Sequence, residues 1–437
     1  MAYTFFALAN TKNIAVFVDP GIAEVKLADK IKDLGIEAII VSDDYLPRMK
    51  EFIKNFRLSI PIIQCESRRW GEYDTTYRLP TSMSASDSDV VALFETAGTA
   101  GKSKMVPFTH TMLQHACLVL RSIYRTSPID QFFTFNNSLA KPFYFVHGLI
   151  FPLISGCGVV ITDLIAPEEL GKELLEGKVS RVIMKSSLIE DWLTSFKNIN
   201  IKLPFLKSIT REQGPLDKRV DDLVTKEFNV KIINIYGSVE TCWAVAGRQF
   251  EEPEDFESVG KFLSGVKTRV VDENGDDVPT NKTQRGQLLV SGPGVATGYI
   301  NNKEATKLNM RGSWFFTEDY VEVDKKDVVR FLDRKDNICK VVTNYLAPRD
   351  IEKKLADCPG VNSVAILNLK DQLGKPALTA IISKKTGFEL SAAEFQEFCR
   401  NKLAEHERPK NVAFIDEMPL DSYGDINKYK LRFDFGS

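Results

Sequence analysis

A chain of 437 residues with 43% apolar and 27% charged residues has the composition of a globular protein with two to three domains. Its net charge of −2 gives no electrostatic reason to expect nucleic acid or an anionic membrane surface as partner. Seven scattered cysteines (65, 117, 157, 242, 339, 358, 399) without a C-x-x-C, and four dispersed histidines, argue for free thiols in a reducing compartment and against a structural metal site.

Nothing at the N-terminus joins a basic region to an apolar core, so no signal peptide is expected. Residues 14–18 and 38–41 read as strands on either side of an amphipathic helix over 23–34. Strands alternating with helices predict an α/β layered domain with a largely parallel sheet. Residues 68–86 are polar and predict a loop. The apolar stretch 146–161 is too short, and too interrupted by His147, Pro152 and three glycines, to span a bilayer. No membrane span is expected, and the chain reads as cytoplasmic.

The apolar β-branched run from Val90 to Phe94 breaks into Thr96-Ala97-Gly98-Thr99-Ala100-Gly101-Lys102-Ser103-Lys104. Glycines let backbone N–H groups approach an anion, hydroxyls add donors and lysines add charge, so this segment suits a polyphosphate. By itself it is also compatible with an ordinary Gly/Ser surface turn. A Walker-type loop is the sharper rival, since Gly101-Lys102-Ser103 fits it, but Thr96 stands where its first glycine belongs. That loop also runs straight into a helix. Here Pro107 intervenes, residues 105–108 read as extended, and the helical pattern begins at Thr109 or Thr111, capping Met112, Leu113, Ala116 and Val119. The order is strand, loop, strand, helix.

Further along, Pro142-Phe143-Tyr144-Phe145-Val146-His147-Gly148-Leu149 read alone is a buried apolar segment with one hydrogen-bonded histidine. Residues 232–235 form a buried-strand pattern that ends in Tyr236-Gly237-Ser238-Val239-Glu240. Strand, turn and carboxylate make a sound place for Mg²⁺, a hard cation that wants oxygen ligands beside phosphates. From 258 to 322, short alternating strands broken by Asn-Gly and Gly-Pro predict a small β-rich subdomain.

Taken together, these segments resemble the adenylate-forming superfamily of acyl-CoA synthetases, AMP-dependent ligases and luciferases, and the resemblance covers almost the entire chain. Residues 96–104 are similar to its T-S-G-T-T-G-x-P-K phosphate loop, and 236–240 to its Y-G-x-T-E. The resemblance implies a large N-terminal domain over 1–332, made of layered α/β sheets with a small β subdomain. A hinge over 333–336, turning on Asp336, and a small mobile α+β C-terminal domain over 337–437 would follow. Relative to the family the chain begins late, without the first few elements.

Residue by residue, the resemblance implies that Thr96, Gly98, Thr99, Gly101 and Lys104 hold the phosphates of ATP, and that Thr96 and Glu240 hold Mg²⁺. Gly214, Pro215, Tyr236, Gly237 and Ser238 would lie against the nucleotide, although Arg211, Glu212 and Gln213 are bulky for the adenine turn. Asp319 would accept both ribose hydroxyls, which suits a carboxylate because it can take two hydrogen bonds at once. Glu318 replaces the glycine that normally precedes it, and Arg334 matches a nucleotide-contacting arginine. Phe145, Val146 and Gly237 would line the acid pocket. An apolar wall cannot compensate a buried ammonium, so a fatty or aromatic acid is expected rather than an amino acid. The acyl acceptor would be the thiol of CoA or the phosphopantetheine of an acyl or aryl carrier protein, with Thr343 where the family has a glycine for that arm.

The family's last motif, P-x-T-x-x-G-K-x-x-R, corresponds to Pro419 to Lys428, and its catalytic lysine is Asp425 here. A carboxylate attacking an α-phosphate brings two anions together, and losing one preorganised donor costs on the order of 10²- to 10³-fold. A carboxylate in its place adds about 4 kcal/mol of repulsion at 4 Å and an effective dielectric of 20. Lys428 could substitute only through a bulge or turn, because positions 425 and 428 face opposite ways on an extended strand. Two readings therefore stay open: a ligase forming an acyl-adenylate and then a thioester, and a non-catalytic or thioester-half-reaction relative that binds nucleotide or acyl groups.

Overall fold

The computed structural model describes residues 1–65, 85–96, 103–163, 166–212, 220, 222–248, 258–341, 344–370, 374–420 and 426–436. Four of the sequence assignments lie wholly or largely outside them: the loop at 68–86, the glycines and Thr99 of the phosphate loop, Gly214 with Pro215, and Thr343 with Asp425.

The chain opens with a helix that the sequence pattern did not reveal, α1 (Ala2–Asn10), followed by β1 (Ala15–Val16), α2 (Glu24–Leu34), β2 (Ile39–Ser42), α3 (Leu46–Asn55) and β3 (Ile62–Cys65). Strands β2 and β3 pair in parallel. Strand β1 pairs in parallel with β4 (Val90–Glu95), and β4 pairs antiparallel with β5 (Met105–Thr109). Strands β4 and β5 therefore make a hairpin whose described residues run to Thr96 on one side and from Ser103 on the other. Thr109 caps the next helix, α4 (His110–Tyr124), its hydroxyl accepting from Met112 N at 3.2 Å. Strand, loop, strand, helix is the order found.

The central sheet has a parallel half and an antiparallel half. The parallel strands are β6 (Gln131–Phe135), β7 (Gly158–Thr162), β8 (Arg181–Lys185), β9 (Ser208–Glu212) and β10 (Lys231–Tyr236), in spatial order β7-β6-β8-β9-β10. The antiparallel strands are β11 (Ala246–Gly247), β12 (Gly260–Phe262), β13 (Lys267–Val271), β14 (Gln284–Ser291), β15 (Met310–Arg311), β16 (Trp314–Val323) and β17 (Val328–Arg334). Two-residue β11 pairs with both β10 and β12 and joins the halves, so the expected β subdomain continues the parallel sheet edge to edge. Open α/β sheets place ligands at the carboxyl ends of their parallel strands. Tyr236, which opens the Tyr-Gly-Ser-Val-Glu turn, is the last residue of β10.

The predicted buried segment from 142 to 154 is helical. Pro142–Phe145 runs through a π turn, Val146–Ile150, into Phe151–Ile154, and we call the whole α5. It packs inside the largest hydrophobic cluster with β4, β5 and α4. Beyond β17, a turn at Lys335–Asn337 leads to β18 (Cys339–Val341), β19 (Asn344–Leu346), α6 (Pro348–Leu355), β20 (Val361–Lys370), β21 (Pro376–Lys384), a helix at Ala392–Lys402, β22 (Asn411–Ile415) and α7 (Lys428–Phe435). Strands β20, β21 and β22 form a separate sheet with its own core. All seven cysteines are free. Among the described residues no helix is long and apolar enough to cross a membrane.

Candidate active site

The β4–β5 pairing extends to Thr96 and Lys104. Thr96 N donates to Lys104 O at 2.9 Å, and Lys104 N donates back to the Thr96 hydroxyl at 3.0 Å. One residue earlier, the Glu95 carboxylate accepts from the Ser103 hydroxyl and from Lys30 Nζ of α2, the latter at 2.5 Å. Burial alone would raise the Glu95 pKa, but Lys30 and Ser103 outweigh it and hold the carboxyl below its usual range. Glu95 and Lys30 escaped sequence reading because they are far apart in the chain.

On the opposite side stands the turn after β10. Gly237 is required there by contact: a Cβ would lie 2.5 Å from Trp243 Cα. Ser238 N donates to the Thr241 hydroxyl at 2.9 Å, and Trp243 N donates to Ser238 O at 3.0 Å, folding the turn back on itself. Cys242 and Trp243 both take left-handed backbone angles, φ 50° and 55°, which make this return tight. Glu240 is buried within it.

A strap formed by residues 292–301 links the two sides. Ala296 N donates to Glu240 O at 2.8 Å, and Ile300 N donates to Met105 O at 2.9 Å. Between these staples, the Tyr299 hydroxyl donates to Glu240 Oε1 at 2.7 Å, and Lys104 Nζ sits 4.6 Å above the Tyr299 ring centroid. The hairpin lysine and the turn carboxylate thus meet on the two ends of one aromatic side chain.

Tyr236, Asp319 and Arg334 also converge. The Tyr236 hydroxyl donates to Asp319 Oδ2 at 2.6 Å, and an Arg334 Nη donates to Asp319 Oδ1 at 2.6 Å and to Thr317 O at 2.8 Å. Burial pushes the Asp319 pKa upward, with Arg334 opposing. Burial and then the adjacent carboxylate push the Tyr236 phenol well above its ordinary value, so it remains the donor. Each Asp319 oxygen keeps a second lone pair, the capacity a vicinal diol needs. A bulge aims this carboxylate. Between Gln287↔Tyr320 and Leu289↔Phe316, three residues of β16 oppose one of β14. Glu318 sits in the bulge at φ 61°, a conformation glycine adopts freely, and its carboxylate accepts from Gln287 Nε2 at 3.1 Å.

The acid-pocket candidates are packed. Phe145 and Val146 are fully buried, and the Phe145 ring lies 4.8 to 5.1 Å from those of Phe5, Phe17 and Phe94. His147, two positions on, accepts from the Tyr124 hydroxyl at Nδ1 (3.0 Å) and donates from Nε2 to Trp243 O (3.2 Å). Burial takes its pKa down to about 3, so it is a neutral, hydrogen-bonded core histidine. Arg211 is buried, its Nε donating to Asn234 Oδ1 at 2.6 Å.

Residues 333–336, the expected hinge, are gripped by side chains of α7. Lys428 opens α7 instead of lying on a strand, and its ammonium pairs with Glu352 Oε1 at 2.8 Å and Asp333 Oδ2 at 3.3 Å. An Arg432 Nη donates to Asp336 O at 2.9 Å.

The donor set fits a nucleotide-borne cation. Among the described residues no three His, Cys, Asp or Glu side chains converge as a metal site. Mg²⁺ needs no such cage, since it is commonly held by one or two carboxylates and completed by phosphates and water. Glu240, flanked by the hairpin cation Lys104, matches that need, with the Thr96 hydroxyl on the hairpin side.

The family model for AMP-binding enzymes matches residues 1–300, and that for the AMP-binding enzyme C-terminal domain matches residues 350–424. The chain is 26% identical over 299 residues to a 2-succinylbenzoate–CoA ligase of Enterococcus faecalis, a match covering 67% of this chain and 60% of that relative's length. It is 22% identical over 415 residues to the enzyme of the same name from a Geobacillus species, covering 93% of this chain and 80% of the relative. Among solved structures, ATP-bound MatB from Rhodopseudomonas palustris superposes with a TM-score of 0.82 at 19% identity, covering 99% of this chain and 86% of that one.

Proposed function

Because the chain belongs to the AMP-binding enzyme family, we propose that it activates an apolar fatty or aryl carboxylic acid with ATP and passes the acyl group to a thiol. In the first step a carboxylate oxygen attacks the α-phosphorus, the bond to the bridging oxygen breaks, and pyrophosphate leaves. In the second a thiolate attacks the acyl carbon and AMP leaves. The relatives named as CoA ligases favour CoA as acceptor, and a carrier-protein phosphopantetheine is the alternative.

In this reading Lys104, with Thr96, Gly98, Thr99 and Gly101, neutralises and orients the phosphates. Glu240 and Thr96 would hold Mg²⁺, which when bound would help neutralise the negative charge of the phosphates. Asp319, set by Tyr236, receives the ribose hydroxyls, and Arg334 steadies the nucleotide. Gly214 and Pro215 lie against adenine, and Ser238 and Gly237 close the turn beneath it. Phe145 and Val146 set the apolar wall of the acid pocket. Rotation about Asp336 would exchange one half-reaction for the other. The observation that carries the reading is the meeting of Lys104 and Glu240 on Tyr299, which puts phosphate-binding and metal-binding chemistry side by side.

A second reading, a nucleotide- or acyl-binding relative without the adenylation step, has one observation behind it. The family's lysine position is Asp425, and the nearest downstream lysine is tied between Asp333 and Glu352. Acid-dependent ATP–pyrophosphate exchange across a panel of fatty and aryl acids separates the two. The ligase reading expects exchange in the native chain, increased in Asp425→Lys. Exchange in neither form, with a melting shift on adding ATP, supports the binding reading instead.

A further inference from the structure

The strap residue Tyr299 has a role that neither motif contains. Lys104 and Glu240 carry opposite charges on neighbouring elements, yet no ion pair joins them among the described residues. The Tyr299 side chain stands between: its ring faces the ammonium and its hydroxyl takes Glu240 Oε1. We propose that Tyr299 is a positioning residue that keeps Lys104 and Glu240 from neutralising each other, holding the ammonium for phosphate and orienting the carboxylate for the metal. This deepens the proposed function and rests on its assignment of Lys104 to phosphate and Glu240 to Mg²⁺.

The geometry suits that role because Tyr299 is itself held from several directions. Its backbone N–H donates to the Thr306 hydroxyl at 2.9 Å, and Thr306 Oγ1 donates to Asn302 O at 2.8 Å. Asn302 caps the helix Lys303–Asn309, its side chain accepting from Ala305 N at 2.9 Å. On the other side, Ile300 is stapled to Met105 and Ala296 to Glu240. The residue is buried, so its ring cannot swing into solvent without opening the strap. Burial, and then the charge of Glu240, raise the phenol far above its usual range, so the hydroxyl is a donor at every working pH. A donor on one carboxylate oxygen fixes the plane of the group and leaves Oε2 to face the cation, as outer hydrogen bonds do for metal-ligating side chains. The ring, in turn, gives the ammonium a cation–π seat in place of a competing carboxylate.

The test compares Tyr299→Phe with Tyr299→Leu in the full chain, using Mn²⁺ as probe. Mn²⁺ binding in the presence of ATP is read by electron paramagnetic resonance, which needs no turnover, and ATP affinity is read at saturating Mg²⁺. Tyr299→Phe removes only the hydroxyl, so Mn²⁺ affinity falls about 10- to 100-fold while ATP affinity at saturating Mg²⁺ stays within about twofold. Tyr299→Leu also removes the ring, lets Lys104 pair with Glu240, and weakens ATP as well. Unchanged Mn²⁺ affinity in Tyr299→Phe overturns the proposal while leaving the proposed function intact. An equal loss of both affinities in the two variants overturns it too, by reducing Tyr299 to packing. Failure of the native chain to bind Mn²⁺–ATP overturns the proposal and the functional reading together.

Discussion

His147 makes the core beneath the site acid-labile in a way that can be calculated. The ring is fully buried among Phe143, Tyr124 and Trp243. Trp243 O can only accept, so Nε2 carries the proton and Nδ1 accepts from Tyr124: the neutral form satisfies both nitrogens. Folding takes the pKa from an unfolded value of 6.5 down to about 3. A depressed folded pKa means the unfolded chain binds the proton first. The stabilisation is complete above pH 6.5 and is lost as the pH falls toward the folded value. Across that window of 3.5 units the loss is about 5 kcal/mol at 1.36 kcal/mol per unit. By pH 5 about 2 kcal/mol of it has gone, a sizeable part of the 5–15 kcal/mol typical of a domain.

The perturbation is His147→Gln, which can still donate to Trp243 O and accept from Tyr124 but does not titrate. All four tryptophans precede residue 332, so their fluorescence reports on the large domain in urea titrations at pH 7, 6 and 5. His115, whose pKa burial also lowers, adds the same slope to both proteins and cancels. The native chain loses about 2 kcal/mol more than the variant between pH 7 and pH 5. Equal slopes would refute the assignment of a neutral, desolvated His147, whatever the variant does to stability at pH 7.

Two other substitutions test the neighbouring geometry. Glu318→Gly relieves a left-handed residue in the β16 bulge at the expense of one hydrogen bond to Gln287; the urea midpoint of the large domain rises by an amount equivalent to about 1 kcal/mol, and a fall would place the bulge's stability in that bond. Lys428→Met leaves Asp333 and Glu352 facing each other without their shared cation, and breaking a buried pair this way costs about 3–5 kcal/mol, read as faster limited proteolysis around the turn Lys335–Asn337 and a lower small-domain midpoint.

The strands β4 and β5, the Thr109 cap and the β10 strand were all visible in the chain, because each is written in a local apolar run, an extended stretch or a capping residue. Helix α1 was not. Its sequence, Ala-Tyr-Thr-Phe-Phe-Ala-Leu-Ala-Asn, is apolar nearly all round, yet only Phe5 and Ala9 are buried, so no periodic face announces it. The continuity of the central sheet was hidden for the opposite reason: β11 is two residues long and leaves no pattern. In the site, Tyr236, Asp319 and Arg334 could be singled out from motifs, but Tyr299 could not. It acquires meaning only when the fold closes a gap of 59 residues to Glu240 and brings Lys104 over the ring. Arg211 shows the same limit from the other side, since its direction depends on a partner, Asn234, on the next strand.

The hinge network bears on which cations the chemistry can draw upon. Lys428 and Glu352 lie beyond the expected hinge over 333–336, whereas Asp333, near the end of β17, is its first residue. Rotation about Asp336 would part Lys428 from Asp333 and release the Arg432 contact with Asp336 O, yet the 2.8 Å pair with Glu352 would travel intact. Glu352 is nearly enclosed and its pKa is raised by burial, so stripping its lysine would strand a carboxyl that already resists ionisation. With its ammonium held by Glu352 and Asp333, Lys428 is a poor stand-in for a lysine at position 425. Among the described residues, the proposed function leaves Lys104, over the Tyr299 ring, and Arg334, paired with Asp319, as the cations to face the phosphates. Under that reading, Tyr299 and Asp319 are the side chains that seat the two cations the attacking carboxylate would meet.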